Sequence, residues 1–324
     1  MDILILIFAV IFLFVIIKLI VDRVKRAKSG GAANKVKKKS IMLIVITVVL
    51  ATYAVSLIAP MVWGLLSSFK DPWIFEDNVS NLTSPYFMNY VDVFEFFNVT
   101  IHPQTGDRVV GILEMYFNSI LYCLGSAFFT TLTPCIVAYV VAKFGKKFRF
   151  FNIYTSIVII CMTIPIVGSV PSQLQVAHTL GLTNSIVGMW IMKSYFLGMY
   201  YLVFIAAFNT VPGSIFEAAR IDGASNFRVF LSMMLPMVKH TFFTIMLIKF
   251  IEFWNDYQTP LLFMPQKPTI SLGLYNFTFN KNIDASSVPM QLTGCMLVLL
   301  PVLVVFLIFQ DKILGNITMG GVKE

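Results

Sequence analysis

Charge is scarce in this sequence. Only 12% of its 324 residues are Asp, Glu, Lys or Arg, while 58% are hydrophobic. A soluble domain carries about 25% charged residues, so this chain lacks the polar surface that a water-facing fold of its size needs. Cysteine is also sparse. Cys123, Cys135, Cys161 and Cys295 lie in apolar runs without C-x-x-C spacing, the pattern of buried free thiols acting as small hydrophobes. The three histidines, His102, His178 and His240, are far apart, and none pairs at the spacing of a zinc site. No G-x-x-x-x-G-K-[ST] loop is present to cradle phosphate. No nucleophile–base or metal constellation supports a membrane enzyme.

Long apolar runs are abundant instead. A spanning helix needs about 20 mostly apolar residues. Seven stretches qualify: Ile3–Val21, Ile41–Leu66, Met115–Ala142, Ile153–Val170, Ser185–Phe208, Thr241–Phe263 and Gln291–Phe309. Pro165 predicts a break or kink in the fourth. The basic residues fix a sidedness. Seventeen Lys and Arg fall between the first and second, third and fourth, and fifth and sixth spans and in the tail. Four fall in the alternate loops, namely Lys70, Arg108, Lys267 and Lys281. Cytoplasmic loops are enriched in Lys and Arg, so the N-terminus is expected outside and the C-terminus inside. The net charge of +8 then marks a membrane face and not a nucleic-acid binder. The first span has only Asp2 before it and the basic run after it, which reads as an uncleaved anchor.

The outer loop between Ser67 and Ile112 is long and acidic on balance. Tyr86, Phe87, Tyr90, Phe94, Phe96 and Phe97 could fold it into a cap or a docking surface. The cytoplasmic loop between the fifth and sixth spans has more internal design. Ser214 and Glu217 have capping-box spacing, which predicts a helix from Ser214. Asp222-Gly223 predicts a left-handed helix stop. A second short helix is expected after Ala224, ending before Pro236. Ala218 and Ala219 form a small-residue surface framed by Glu217, Arg220 and Asp222. This segment reads either as a solvated hairpin at the membrane face or as a short helix that docks in a groove of a cytoplasmic partner.

Here the residues carry a resemblance. Glu217-Ala218-Ala219, Gly223 and Leu235-Pro236 resemble the EAA motif of permease subunits of bacterial ABC importers. Glu217-Ala-Ala-Arg-Ile-Asp-Gly-Ala224, Trp254-Asn-Asp256 with Pro260-Leu261, and Gly320-Gly-Val-Lys323 resemble the carbohydrate permeases of the maltose-type G subunit. Asn118-Ser119, Ala138-Tyr139, Pro165, Gly181-Leu182 and Asn184 fit the same pattern, from Ile41 to the end. The resemblance implies an all-α polytopic membrane protein, a type I ABC importer permease with a six-helix core, plus one extra N-terminal transmembrane helix. Residues 1–21 would be that anchor and 22–40 a basic cytoplasmic linker. Residues 41–112 would hold the first core helix and extracellular loop, 113–310 the permease core with its coupling loop at 210–236, and 311–324 a cytoplasmic tail.

The resemblance also implies the partners. Glu217, Ala218, Ala219, Arg220, Asp222, Gly223, Leu235 and Pro236 would couple to an ATP-hydrolysing subunit. ATP and Mg would sit on that partner and no cofactor on this chain, which would not itself be an enzyme. Two such cytoplasmic subunits, a homologous second permease subunit and an extracellular or periplasmic solute-binding protein would complete the importer in the bacterial cell membrane.

Charges at membrane depth are costly and face a cavity or a partner. Lys249 and Glu252 are three apart and can pair, and Asp256 lies four beyond Glu252. Trp190, Lys193, Tyr195, Lys249, Glu252, Trp254, Asn255 and Asp256 are therefore candidates for the substrate path. Lysines without counter-ions would suit an anionic cargo. The expected function is import of a sugar or oligosaccharide by alternating access. The alternatives are a uronate oligosaccharide or glycerol phosphodiester as cargo, or an ion-coupled secondary transporter, although no internal repeat of the kind such transporters carry is visible.

Overall fold

The computed structural model describes residues 33–75, 85–103, 106–145, 148–164, 168–279 and 287–317. The expected N-terminal anchor, most of the basic linker, Pro165 and the Gly320–Lys323 tail lie outside them. The chain divides into two compact units, one within Met1–Val93 and Asn280–Met296, the other within Phe94–Phe279 and Leu297–Glu324.

The first unit is built on helix α1, Ala33–Ser67. Its stretch Val45–Ser67 is long and apolar enough to cross a membrane. Apolar side chains such as Leu50, Tyr53 and Leu57 are exposed, as on a lipid-facing helix. Beyond its end the backbone is held by side chains. Asn89 Nδ2 donates to the carbonyls of Ser68 and Lys70 at 2.9 and 2.7 Å, and Thr293 Oγ1 donates to Ser68 at 3.1 Å. Those carbonyls would otherwise be buried without partners, which a folded chain rarely tolerates.

The second unit begins with a β-hairpin, an addition to the all-α fold expected from sequence. Strands β1 (Asn98–Ile101) and β2 (Arg108–Gly111) pair antiparallel, with Asn98 opposite Gly111. The alternation Val99, Ile101 buried and Asn98, Thr100 exposed is the period-two signal of a half-buried strand. Phe97, wholly buried, packs on Phe277 at 5.1 Å.

Helix α3 follows (α2 being Met88–Phe96), running unbroken through Ile112–Phe144. At 33 residues it is about 50 Å long. It is apolar all round, with small residues such as Gly125, Ser126, Ala127 and Ala138 on its surface. Such residues let membrane helices approach closely. Around it stand α4 (Arg149–Thr163), α5 (Val170–Thr179), α6 (Ile186–Met192), α7 (Met199–Asn209), α8 (Gly213–Ile221), α9 (Asn226–Met237), α10 (Lys239–Trp254), α11 (Gln258–Phe263) and α12 (Ile270–Thr278). Helix α13 (Val288–Ile317) divides between the two units.

The expected span boundaries need correction. By length and apolarity, three helices among the described residues can cross a membrane unaided: Val45–Ser67, Ile112–Phe144 and Val288–Gln310. The fourth, fifth and sixth expected spans are interrupted, and the first lies outside the described residues. Helix α4 stops at Thr163, and Ile164 is extended (ψ 117), as the residue before a proline prefers. The expected fifth span, Ser185–Phe208, is two helices, because the chain leaves the helix at Lys193 and passes Gly198 at φ 144. The expected sixth span, Thr241–Phe263, breaks between Trp254 and Gln258. Non-helical backbone at membrane depth survives only where protein or a water-lined cavity satisfies it, so these breaks mark places of interest.

Candidate functional site

The segment between α7 and α10 is built from two short helices. Helix α8 turns 78° from α7, and α9 lies at 77° to α10. At such angles neither short helix continues the span beside it; each runs across its end. Helix α8 starts at Gly213, one residue before the expected Ser214, and ends in a Schellman arrangement. Gly223 sits in the left-handed region (φ 78) and Ala224 N–H donates to the Ala219 carbonyl at 3.1 Å. Ser225 Oγ then caps α9, accepting from Arg228 N–H at 3.3 Å. Helix α9 does not end before Pro236, as the sequence suggests. A π turn over Phe230–Met234 carries the helical path through the proline to Met237. In that turn Leu235 N–H reaches back five residues to the Phe230 carbonyl. Widening the helix in this way accommodates a residue without N–H.

One face of this segment is fastened to the rest of the unit. Phe216, Ala219, Val229, Phe230 and Met234 are buried in a core with Tyr139, Phe208 and Phe242. Helix α3 supplies the ties. Tyr139 stacks obliquely on Phe230 at 4.9 Å and donates from its hydroxyl to the Asn226 carbonyl at 3.2 Å. Lys143 Nζ reaches the Val211 carbonyl at 3.4 Å, and Phe144 meets Phe216 edge-on at 5.8 Å. Aromatic pairs add roughly 0.5–1.5 kcal/mol each beyond the area they bury.

The other face is exposed among the described residues. Glu217, Ala218, Asp222 and Pro236 are exposed, Leu235 is half-buried, and Ile221 and Phe227 are 87% and 71% exposed. The two alanines of the motif are therefore divided: Ala218 faces outward and Ala219, 2% exposed, packs inside this chain. Sequence reasoning missed Ile221 and Phe227. Nothing in the sequence set them apart, since the segment 209–236 is rich in apolar residues and only the fold shows which of them face outward.

The intramembrane candidates gather at the two helix breaks. Lys193, where α6 ends, points Nζ at Thr259 Oγ1 (3.1 Å) and at Asp256 Oδ2 (3.7 Å), between α10 and α11. Asp256 is held from two more directions. Tyr122 on α3 donates to Oδ2 at 2.9 Å, and Thr259 N–H donates to Oδ1 at 2.9 Å. The Lys193 carbonyl, freed by the break, accepts from Thr130 Oγ1 on α3 at 2.6 Å. Lys249 and Glu252 pair at 2.6 Å, as their spacing implies. Phe253 sits between the two lysines, its ring 5.3 Å from Lys193 Nζ and 5.9 Å from Lys249 Nζ.

The remaining candidates separate by environment. Trp190 lies against Gly125 of α3, donates to the Leu121 carbonyl at 3.1 Å and stacks on Phe129. Trp254 is 2% exposed and donates to the Val298 carbonyl at 3.1 Å. Both indoles hold helices together. Asn255 is exposed and donates back to the Ile251 carbonyl. Tyr195 lines a cavity of about 160 Å³ together with Lys193, Gln173, Gln258, Thr259 and apolar side chains of α6 and α11. Gln173, Gln258 and Thr259 escaped the sequence reading because nothing in their spacing sets them apart.

With this geometry in place, the chain can be compared with known proteins. Residues 135–313 match the family described as the binding-protein-dependent transport system inner membrane component. The chain belongs to this family. It is a multi-pass membrane permease that works with other ABC subunits. The permease is 24% identical over 277 residues to the diacetylchitobiose uptake system permease protein NgcG of Streptomyces coelicolor, covering 84% of this chain and 86% of the relative. It is 36% identical over 136 residues to the maltodextrin transport system permease protein MdxG of Bacillus subtilis, covering 41% of this chain and 44% of the relative. Its fold matches a chain of a bacterial ABC transporter involved in the import of the acidic polysaccharide alginate. The TM-score is 0.65 at 20% identity, with 85% of this chain and 97% of that one covered. A type I permease fold accounts for the helices described above. The ion-coupled alternative loses its ground once the family is known.

Proposed function

We propose that this permease carries a sugar or oligosaccharide into the cell, driven by ATP hydrolysed on separate subunits that dock on α8 and α9. The observation that carries the reading is the two-sided construction of the 213–237 segment. Its inner face is locked to α3, and its outer face leaves Glu217, Ala218, Ile221, Asp222 and Phe227 exposed among the described residues. A surface that combines exposed large apolar groups with acidic ones suits a partner cleft.

The mechanism follows from the ties. Force applied to α8 and α9 reaches α3 through Tyr139, Lys143 and Phe144. Helix α3 is one unbroken rod. Tyr122, which holds Asp256, lies seventeen residues before Tyr139, about 25 Å along the helix. Closing of the ATPase subunits would thus tilt the rod and shift the helix breaks at Lys193 and Asp256 together, the motion alternating access requires. ATP and Mg belong to those subunits. A homologous second permease, two ATP-binding subunits and an outer solute-binding protein complete the assembly. The enrichment of Lys and Arg in those loops supports a cytoplasmic side for α8, α9 and the C-terminus.

A neutral cargo is favoured over an anionic one. Lys193 and Lys249, whose charges would suit a uronate or a phosphodiester if unpaired, face Asp256 at 3.7 Å and Glu252 at 2.6 Å. Affinity purification tests the coupling role. The permease is expected to bring down a P-loop ATPase, and Glu217→Ala combined with Gly223→Ala to lose it. Retention of the ATPase by the folded double variant would contradict the assignment.

A further inference from the structure

The cavity beside the Lys193 break has the chemistry of a carbohydrate subsite. Its polar groups come from three separate helices or their ends: Gln173 on α5, Lys193 and Tyr195 after α6, and Gln258 and Thr259 on α11. Phe263 and other apolar side chains form the remaining wall. A pyranose has the complementary division, with hydroxyls around its edge and C–H groups on its faces. Ligand pockets of this mixed kind are lined mainly by apolar groups, with a few convergent polar ones to fix orientation.

Charge and size narrow the occupant. The Lys193 ammonium has three donors; Thr259 Oγ1 takes one and Asp256 balances the charge. The cavity therefore offers hydrogen-bond donors with no net charge, which suits hydroxyls better than a carboxylate. At about 160 Å³ it falls below the roughly 300 Å³ of pockets that take drug-sized ligands, a size that suits one ring of the cargo, with the open side left for the rest. The position is the junction of two broken helices held to α3 by Tyr122 and Thr130, where a shift of the rod would remodel the walls.

We propose that this cavity is a subsite on this subunit for a single uncharged sugar ring of the cargo, read by Gln173, Lys193, Tyr195, Gln258 and Thr259. The inference rests on the sugar-importer reading and adds where, and on which chain, one ring is held.

The test is protection of a cysteine in the assembled importer. Leu262→Cys places a thiol in the cavity wall, and Val170→Cys, a lining residue on α5, serves if the first variant fails to assemble. The full complex in liposomes is treated with a membrane-permeant maleimide, nucleotide-free and with ATP. Labelling is compared without sugar, with a neutral oligosaccharide that the complex imports, and with its uronate counterpart. At a sugar concentration about ten times its dissociation constant, about a tenth of sites stay free, so labelling is expected to slow about tenfold. The uronate is expected not to protect, and Gln258→Ala or Tyr195→Ala to abolish protection. Asn209→Cys, at the far end of α7, is expected to label equally throughout. Import of the neutral sugar without protection in either nucleotide state overturns the subsite and leaves the importer reading standing. Equal protection by the uronate overturns the selection for an uncharged ring. Failure to import any sugar overturns the importer reading, and the subsite with it.

Discussion

Asp256 and Lys193 join two helix breaks, and separating them should be costly in a characteristic way. Their charged atoms lie 3.7 Å apart, with the side chains 17% and 19% exposed. Two unit charges at 4 Å attract by about 4 kcal/mol at an effective dielectric of 20. Removing one member of a buried pair costs about 3–5 kcal/mol, because the other is left buried and uncompensated. Partial exposure lowers that figure, and about 2–3 kcal/mol is expected here for either single change. Asp256→Asn keeps an oxygen able to accept from Tyr122 or the Thr259 N–H, so its loss is mainly the charge. Lys193→Met keeps the length of the stem and removes the ammonium. The double variant leaves no orphan charge. Its cost should match one single change and not the sum, a coupling of about 2 kcal/mol. Denaturant unfolding of the purified permease in detergent, followed through its tryptophans, measures all four proteins of the cycle. Strict additivity of the two single changes would refute the view that these residues act as one pair.

Other outcomes follow from backbone geometry and caps. A Cβ at Gly188 would collide with the Leu182 carbonyl oxygen, so Gly188→Ala should reduce the yield of folded permease, while Gly213→Ala, with open space around it, should not. Gly223→Ala meets no neighbour but must hold φ 78, a conformation that costs about 1–2 kcal/mol; unfolding should show that loss, and Gly223→Asn a smaller one. Ser225→Ala removes the cap of α9 and should cost about 1 kcal/mol in the same assay. Phe227→Ser leaves the core untouched because Phe227 is 71% exposed; it should weaken ATPase capture without changing the unfolding midpoint.

The sequence showed its membrane character through composition, and the stop of α8 through Asp222-Gly223, because a left-handed stop is local chemistry; the expected start at Ser214 falls one residue inside the helix. The helix breaks inside the fifth and sixth spans were hidden. An apolar run has the same hydropathy whether it is one helix or two. The groups that satisfy the broken backbone are Thr130, which donates to the Lys193 carbonyl from 63 residues away, and the Asp256 carboxylate, which accepts from the Thr259 N–H. Lys249–Glu252 was legible from helical spacing, whereas Lys193–Asp256 was not, since only the fold brings those two together. The β-hairpin was missed for a different reason: its strands are four residues each, too short for alternation to stand out in a loop read as aromatic and acidic. Trp190 and Trp254 look like sugar-stacking residues until their indole N–H groups are seen to donate to backbone carbonyls of neighbouring helices.

The central claim is that this chain moves a sugar only when α8 and α9 are driven by a partner that hydrolyses ATP. Uptake of labelled neutral oligosaccharides into liposomes, with and without the partner subunits and with and without ATP, measures it directly. The expected result is accumulation only with the complete assembly and ATP, abolished when Glu217→Ala and Gly223→Ala are combined. Accumulation by this chain alone, without ATP, would contradict the account.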